Sequence, residues 1–270
     1  MSKQRIAILI DGGFFLKRLP KLIGDNNCDT PEKVVTCIRA LCRNHVQRLT
    51  PNDQNSKAKS NQWHQHVYRI FFYDADPYDG KAHHPITNRP IDYGKSEVAT
   101  FRRQLFTLLR KERKLALRLG KVMKDKEWAI SPRLTKKLLK TRQHFESLPN
   151  LADLDVTENG GNITVEFSHE QLNSLKQFQE LWQSLDSGSV SLGLRQKGVD
   201  MRIGVDISSI TLKKQADTIV LVSGDSDFVP ASKLARREGL EFILDPMWQQ
   251  VNDDLFEHID GLQSGLNNKQ

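Results

Sequence analysis

Two short apolar runs rich in β-branched residues set the frame of this chain. The first, 5–10, ends in Asp11-Gly12-Gly13, and the second, 218–222, ends in Ser223-Gly224-Asp225-Ser226-Asp227. Runs of this length without polar alternation suit strands covered on both faces, as in parallel sheets. Each delivers a carboxylate into a glycine turn. After the second run, 228–238 has Pro230 in its first turn and Gly239 beyond its end, so it reads as a helix. The next segment, 240–244, closed by Asp245-Pro246, reads as a further strand, which makes a βαβ unit with a right-handed crossover. The N-terminal part repeats the rhythm. Pro31 opens an amphipathic stretch to Leu49, with Val34, Val35, Ile38, Leu41, Cys42, Val46 and Leu49 at helical spacing. A polar loop is expected over 54–62, and 67–73 reads as a strand followed by Asp74-Ala75-Asp76-Pro77. The two ends of the chain thus predict an α/β fold with helices on both faces of one mainly parallel sheet.

The middle, 76–196, breaks this rhythm. It contains a loop rich in His, Pro and Asn, a long basic helix expected over 96–114, and strand-like pieces at 115–123 and 163–167. It reads as a basic α+β insertion into a core made of 1–75 and 197–270, with substrate binding as its expected task. Of the net charge of +7, residues 95–146 contribute 16 Lys or Arg against 5 Asp or Glu, so the rest of the chain is acidic. A dense cationic face attracts a polyanion over roughly a Debye length, ~8 Å, and releases counterions on contact. Arg102, Arg103, Arg110, Lys111, Arg113 and Lys114 are the residues expected to contact nucleic acid. A solvated helix face is the alternative reading of the same charges. Segments 80–85 and 88–92 suit either a substrate-gating loop or a homodimer contact.

Other classes lack their signatures. No apolar run approaches a bilayer span and no leader precedes a cleavage site, so neither a membrane nor a secreted protein is expected. Cys28, Cys37 and Cys42 lack zinc-ligand spacing and read as reduced thiols, which suits a cytoplasmic location. His64, His66, His83 and His84 lie in polar surroundings and are expected at the surface rather than on zinc. No glycine loop for a dinucleotide cofactor or a nucleotide-driven motor is present, and no Ser or Cys nucleophile motif. An aspartyl-phosphate mechanism would want a second Asp two residues after Asp11, where Gly13 stands.

In open parallel sheets ligands bind beyond the carboxyl ends of the strands. Here those positions are acidic: Asp11 follows the first strand, Asp74 and Asp76 the second, and Asp225 and Asp227 the strand at 218–222. Asp200 is expected to start a helix that carries Asp206 further along. A single such Asp is ordinarily a turn or cap residue. Several brought together repel one another unless they share a proton or hold a cation, and hard oxygen donors select Mg²⁺ or Mn²⁺. A cation held this way suits phosphodiester hydrolysis. Asp206 and Asp74 are secondary candidates, the first as a solvent or salt-bridge residue, the second as the start of an Asx turn.

The motifs IDGGFF at 10–15, KGVDMRIGVDI at 197–207 and VLVSGDSDFVP at 220–230 together resemble the NYN family of PIN-like nucleases. The resemblance implies a Rossmann-like three-layer sandwich with an acidic Mg²⁺ or Mn²⁺ site that cleaves RNA, expected to be single-stranded. It assigns Asp11, Asp200, Asp225 and Asp227 as the metal-binding acids and Asp206 as a further acid of the helix. Ser223, Gly224 and Ser226 would shape the metal loop, and Lys197 would lie near the scissile phosphate. The chain departs from the family in having Phe14 and Phe15 where an Asn commonly follows the first acid. These rings would either stack bases or pack against the sheet. The expected function is a metal-dependent ribonuclease. A non-catalytic RNA-binding module and a single-strand or flap-type DNA nuclease are the alternatives.

Overall fold

The computed structural model describes residues 4–51, 61–142, 146, 157–159, 162–164 and 167–268. Most of the loop expected over 54–62 lies outside them, as do 165 and 166 of the strand-like piece expected at 163–167. The chain divides into two compact units. The first comprises Met1–Gly80, Asp92–Met123 and Arg195–Gln270, and the second Lys81–Ile91 and Lys124–Leu194. No described helix is long and apolar enough to cross a membrane.

The first unit begins with β1 (Ile6–Asp11), α1 (Gly12–Ile23), α2 (Pro31–Leu49) and β2 (Val67–Asp76). After α3 (Glu97–Leu109) comes β5 (Leu115–Ile130), and the unit is completed by α6 (Val199–Leu212), β9 (Thr218–Val222), α7 (Val229–Arg237), β10 (Glu241–Asp245), α8 (Asp253–Phe256) and β11 (Gly261–Leu262). With β8 (Val190–Lys197) these strands form one sheet in the order β11-β10-β9-β1-β2-β5-β8. The pairings from β11 through β5 are parallel.

Strict alternation along the central strands builds two apolar layers. Ile6, Ile8 and Ile10 face one layer together with Phe72, Val220 and Val222, where α1, α2 and α3 supply Phe15, Leu19, Ile38, Leu41, Leu105 and Phe106. Ala7 and Leu9 face the other with Tyr73, Ile219 and Leu221, covered by Ile203 and Ile207 of α6 and Ala235 of α7. The expected three-layer α/β arrangement is therefore present.

The boundaries of the middle segment differ from the sequence reading. Residues 92–123 group with the core because α3 buries Ala99, Leu105, Phe106 and Leu109, and because β5 adds to the sheet beside β2, with Leu115 opposite Ile70 and Leu119 opposite Asp74. The basic helix stops at Leu109 rather than continuing to 114, and the chain turns into β5 through Lys114 at φ 59°.

In the second unit, β3 (Lys81–His83) pairs with β4 (Pro90–Asp92), and β6 (Thr157–Asn159) pairs antiparallel with β7 (Asn162–Thr164). Its helices are α4 (Pro132–Lys140) and α5 (His169–Gln183), the latter opened by a capping box at Ser168. His84 is buried rather than at the surface. Its Nδ1 accepts from the amides of Ile86 and Thr87, which leaves Nε2 to donate to the Ser187 carbonyl at 3.1 Å. It organises a turn. His66, in the first unit, is buried as well.

Candidate active site

The strand order places β1 at a topological switch. The chain proceeds outward from β1 to β2 and β5, then returns to β9 on the other flank and proceeds outward again to β10. A crevice opens where neighbouring strands lead away in opposite directions, here beyond the carboxyl ends of β1 and β9. Asp11 and Ser223 stand there.

Asp11 does two things at once. It is the N-cap of α1, accepting from the Phe14 amide at 3.1 Å, and its second oxygen lies 3.5 Å from the Ser223 hydroxyl. Burial, followed by the charges of Asp200 and Asp74, pushes its carboxyl up to about 6 against the hydrogen bond from Phe14. The turn after it requires glycine: a Cβ on Gly12 would sit 2.5 Å from the Tyr73 carbonyl and 2.6 Å from the Phe72 ring. Asp200 lies in the first turn of α6, after a left-handed Gly198, and its carboxyl is raised by burial and by Asp225 and Asp227. Asp225 accepts from the Asp227 amide at 2.9 Å, and its own amide donates to Ser223 at 3.3 Å. Asp200 and Asp227 line one cavity of about 370 Å³ between α6 and the start of α7.

The four acids named from the sequence thus share one electrostatic neighbourhood, with Asp200 coupled to Asp11 on one side and to Asp225 and Asp227 on the other. No three potential ligands among the described residues lie close enough together to hold a metal ion as they stand. The donor set still fits a hard cation in its chemistry. All of it is carboxylate oxygen, its mutual repulsion is not neutralised within the cluster, and the buried Oδ2 of Asp74 has no hydrogen-bond partner.

The secondary candidates separate. Asp74 is fully buried. Its Oδ1 accepts from the Ala75 amide at 2.8 Å and from Gln196 Nε2 at 2.9 Å, and it is ion-paired with Arg102. Burial raises its carboxyl and Arg102 opposes the rise. Asp206 faces elsewhere, held by the Tyr73 hydroxyl at 2.9 Å and by Arg118 at 3.1 Å, so it is the salt-bridge residue of the two readings. Ser223 is buried at the junction of Asp11 and the Asp225 loop, whereas Ser226 is exposed in the short 3₁₀ turn that follows. Lys197 is exposed at the end of β8, immediately before Gly198.

Phe15 is fully buried in the core, and Phe14 packs partly buried against the same layer. A Cβ on Gly224 would lie 2.9 Å from the Phe14 ring. The aromatic pair therefore packs, and Phe14 closes on the glycine beside Asp225.

The cations named for nucleic acid are not beside these carboxylates as a group. Arg102 is committed to Asp74, and Arg103 donates to the Gly94 carbonyl. Residues 110–114 precede Leu115 and so lie at the amino-terminal edge of the sheet, whereas the acids lie at its carboxyl-terminal edge. The four strand residues from Leu115 to the level of Asp74 alone span roughly 13 Å. Arg110 caps α3 there, Lys111 and Arg113 are exposed, and the Lys114 ammonium donates to the carbonyls of His64 and Val67. The sequence reading missed Gln196 and assigned Arg102 to another task. A lone polar residue on a strand and one arginine among many carry no local signal of a buried partner.

Residues 156–259 match the family model of the NYN domain. The matched segment is similar to an NYN domain. This is a PIN-like nuclease-type domain, and the match contains Asp200, Asp225 and Asp227 while Asp11 lies outside it. The expected resemblance joined the NYN segment at the C-terminal end to the first strand. The fold supplies that join through the β1–β9 pairing. A crystal structure of a protein of unknown function from Vibrio parahaemolyticus is similar at 12% identity and a TM-score of 0.36, over 97% of this chain and 93% of that one. No curated protein matches the sequence.

The raised carboxyl of Asp11 has a consequence for stability. At about pH 3, below the ordinary aspartate value of 3.8, it is protonated for the most part in both folded and unfolded chains. As pH rises through about 6 the folded protein must hold a half-desolvated charge, so that stability is lost. In metal-free protein Asp11→Asn, whose amide oxygen can still cap α1, is expected to be more stable by on the order of 2 kcal/mol at pH 7.5. The gain should vanish at about pH 3. Urea unfolding at the two pH values measures it, and a pH-independent difference would refute the assignment.

Proposed function

We propose that this protein is a metal-dependent ribonuclease whose acidic site at the β1–β9 switch point hydrolyses RNA phosphodiester bonds. The observation that carries the reading is that Asp11 and the Ser223–Asp227 loop meet beyond the carboxyl ends of β1 and β9, where a sheet of this order binds ligands, and that Asp227 lines one cavity with Asp200. The NYN match supports the nuclease class.

Asp11, Asp200, Asp225 and Asp227 are the residues that would hold Mg²⁺ or Mn²⁺. When bound, the cation supplies charge stabilisation to the phosphoryl oxygens and lowers the pKa of water. The chain's own groups set the stage for this. The Phe14 amide and Ser223 fix the direction of the Asp11 carboxylate, and the Asp225–Asp227 turn presents two acids from one short loop. Arg102 and Gln196 hold Asp74, whose charge acts on Asp11 from the neighbouring strand. The Phe14 ring packs against Gly224 of the Asp225 loop. Lys197, adjacent to the start of α6, would offset negative charge on the scissile phosphate.

The test is incubation of purified protein with labelled single-stranded RNA, structured RNA and DNA in Mn²⁺, Mg²⁺ or chelator. Cutting of single-stranded RNA that requires the cation is expected. RNA binding without cutting would replace the reading by a non-catalytic RNA-binding module, and cation-dependent cutting of DNA alone would replace it by a DNA nuclease.

A further inference from the structure

At the opposite edge of the sheet from the carboxylates lies a cavity of about 490 Å³, lined by Arg39 and Arg43 of α2 and by Lys111, Glu112 and Arg113 of the turn between α3 and β5. Glu112 engages both Nε and Nη2 of Arg39, so this pair is neutral. Arg43, Lys111 and Arg113 are exposed and have no carboxylate partner among the described residues. Trp63 and His64 form the remaining wall, with rings stacked at 3.7 Å and 26°, and Trp63 is buried beneath. Lys114 pins this wall to the start of β2 through the His64 and Val67 carbonyls, and burial, together with the positive charges of Arg113 and Arg69, lowers its ammonium. A cavity with three unpaired cations around a supported aromatic wall has the makeup of a single-strand nucleic-acid subsite, where phosphates meet Lys or Arg and bases meet rings. It is also larger than a lone inorganic anion needs.

We propose that this cavity is a distal anchor that holds a phosphate of the RNA strand away from the cleavage crevice, with His64 beside it as a stacking surface for the adjoining base. The proposal rests on the reading that the protein acts on RNA, and it adds that the strand is gripped at both edges of the sheet. The test is fluorescence anisotropy with a long single-stranded RNA in chelator, as a function of salt. Lys111→Ala/Arg113→Ala is expected to weaken binding at least tenfold and to reduce the slope of log K against log salt by roughly 0.7, the value for one phosphate no longer neutralised. Arg43→Gln should act in the same direction, whereas Lys213→Ala/Arg237→Ala, which removes two exposed cations elsewhere, should leave affinity within twofold. Unchanged affinity and slope in the pocket variants, or no RNA binding by the wild type, would overturn the proposal. Competition by a nucleoside monophosphate that the pocket variants abolish, with RNA affinity untouched, would overturn it in favour of a small-ligand site. Loss of binding in these variants of a protein that cuts nothing would sink the nuclease reading and leave the anchor standing. Cutting with unaltered binding would do the reverse.

Discussion

Asp225→Asn is expected to lower RNA cleavage by about 100-fold or more while leaving the fold and RNA affinity intact. The substitution isolates charge from structure. In the wild type one carboxylate oxygen accepts from the Asp227 amide, and the Asp225 amide donates to Ser223. An asparagine side-chain oxygen can accept the same hydrogen bond, so the turn stays folded and only the anionic donor to a cation is lost. Removal of a negative charge beside a phosphate should hold affinity constant or improve it. Single-turnover cleavage with saturating Mn²⁺, anisotropy in chelator and thermal unfolding separate the three quantities. Cleavage within a few-fold of wild type would remove Asp225 from the site. Equal losses of cleavage and thermal stability would make it a structural residue.

The second large effect lies beneath the crevice. Asp74 is fully buried, and Arg102, only partly exposed, is the one cation paired with it among the described residues. Arg102→Ala leaves that carboxylate with Gln196, the Ala75 amide and a bare Oδ2, a loss expected to cost about 3–5 kcal/mol. The variant should also become pH-sensitive. Burial already raises the Asp74 carboxyl, and without Arg102 the rise is unopposed by any cation. Stability is then greatest in acid and falls as pH rises through the elevated folded value. Adding Asp74→Asn to Arg102→Ala should restore part of the loss, because no buried charge remains unpaired. Urea unfolding of the wild type, both single variants and the double variant gives the coupling directly. A loss below about 1 kcal/mol for Arg102→Ala would mean that water already reaches Asp74.

Much of this architecture is legible from patterning alone. The α2 boundaries follow from Pro31 and from apolar spacing up to Leu49, and the strand at 218–222 follows from uninterrupted apolar residues between turns, because both are local rules. The acids beyond β1 and β9 are legible for the same reason: a strand followed by Asp and Gly fixes its own exit. The placement of the basic turn is not. Charge counted along a sequence gives no edge, and with 115–123 set apart from the sheet nothing shows that 110–114 must lie where β5 begins. The partners of Asp74 escape for a different reason. Arg102 and Gln196 reach it from 28 and 122 residues away, and contacts of that kind exist only after the helix and strands are in place.

The adjacency of β1 and β9 has a consequence for the life of the chain in the cell. Ser223 meets Asp11 across 212 residues of sequence, and Ile8 pairs with Val220. Contacts so distant in sequence form late and slowly. A chain still emerging from the ribosome has Asp11 and the whole of the basic turn before it has the Asp225 loop, so the acids of the crevice cannot meet until synthesis has passed β9. Interrupted translation products share that state, and the assembled crevice belongs to chains synthesised past β9.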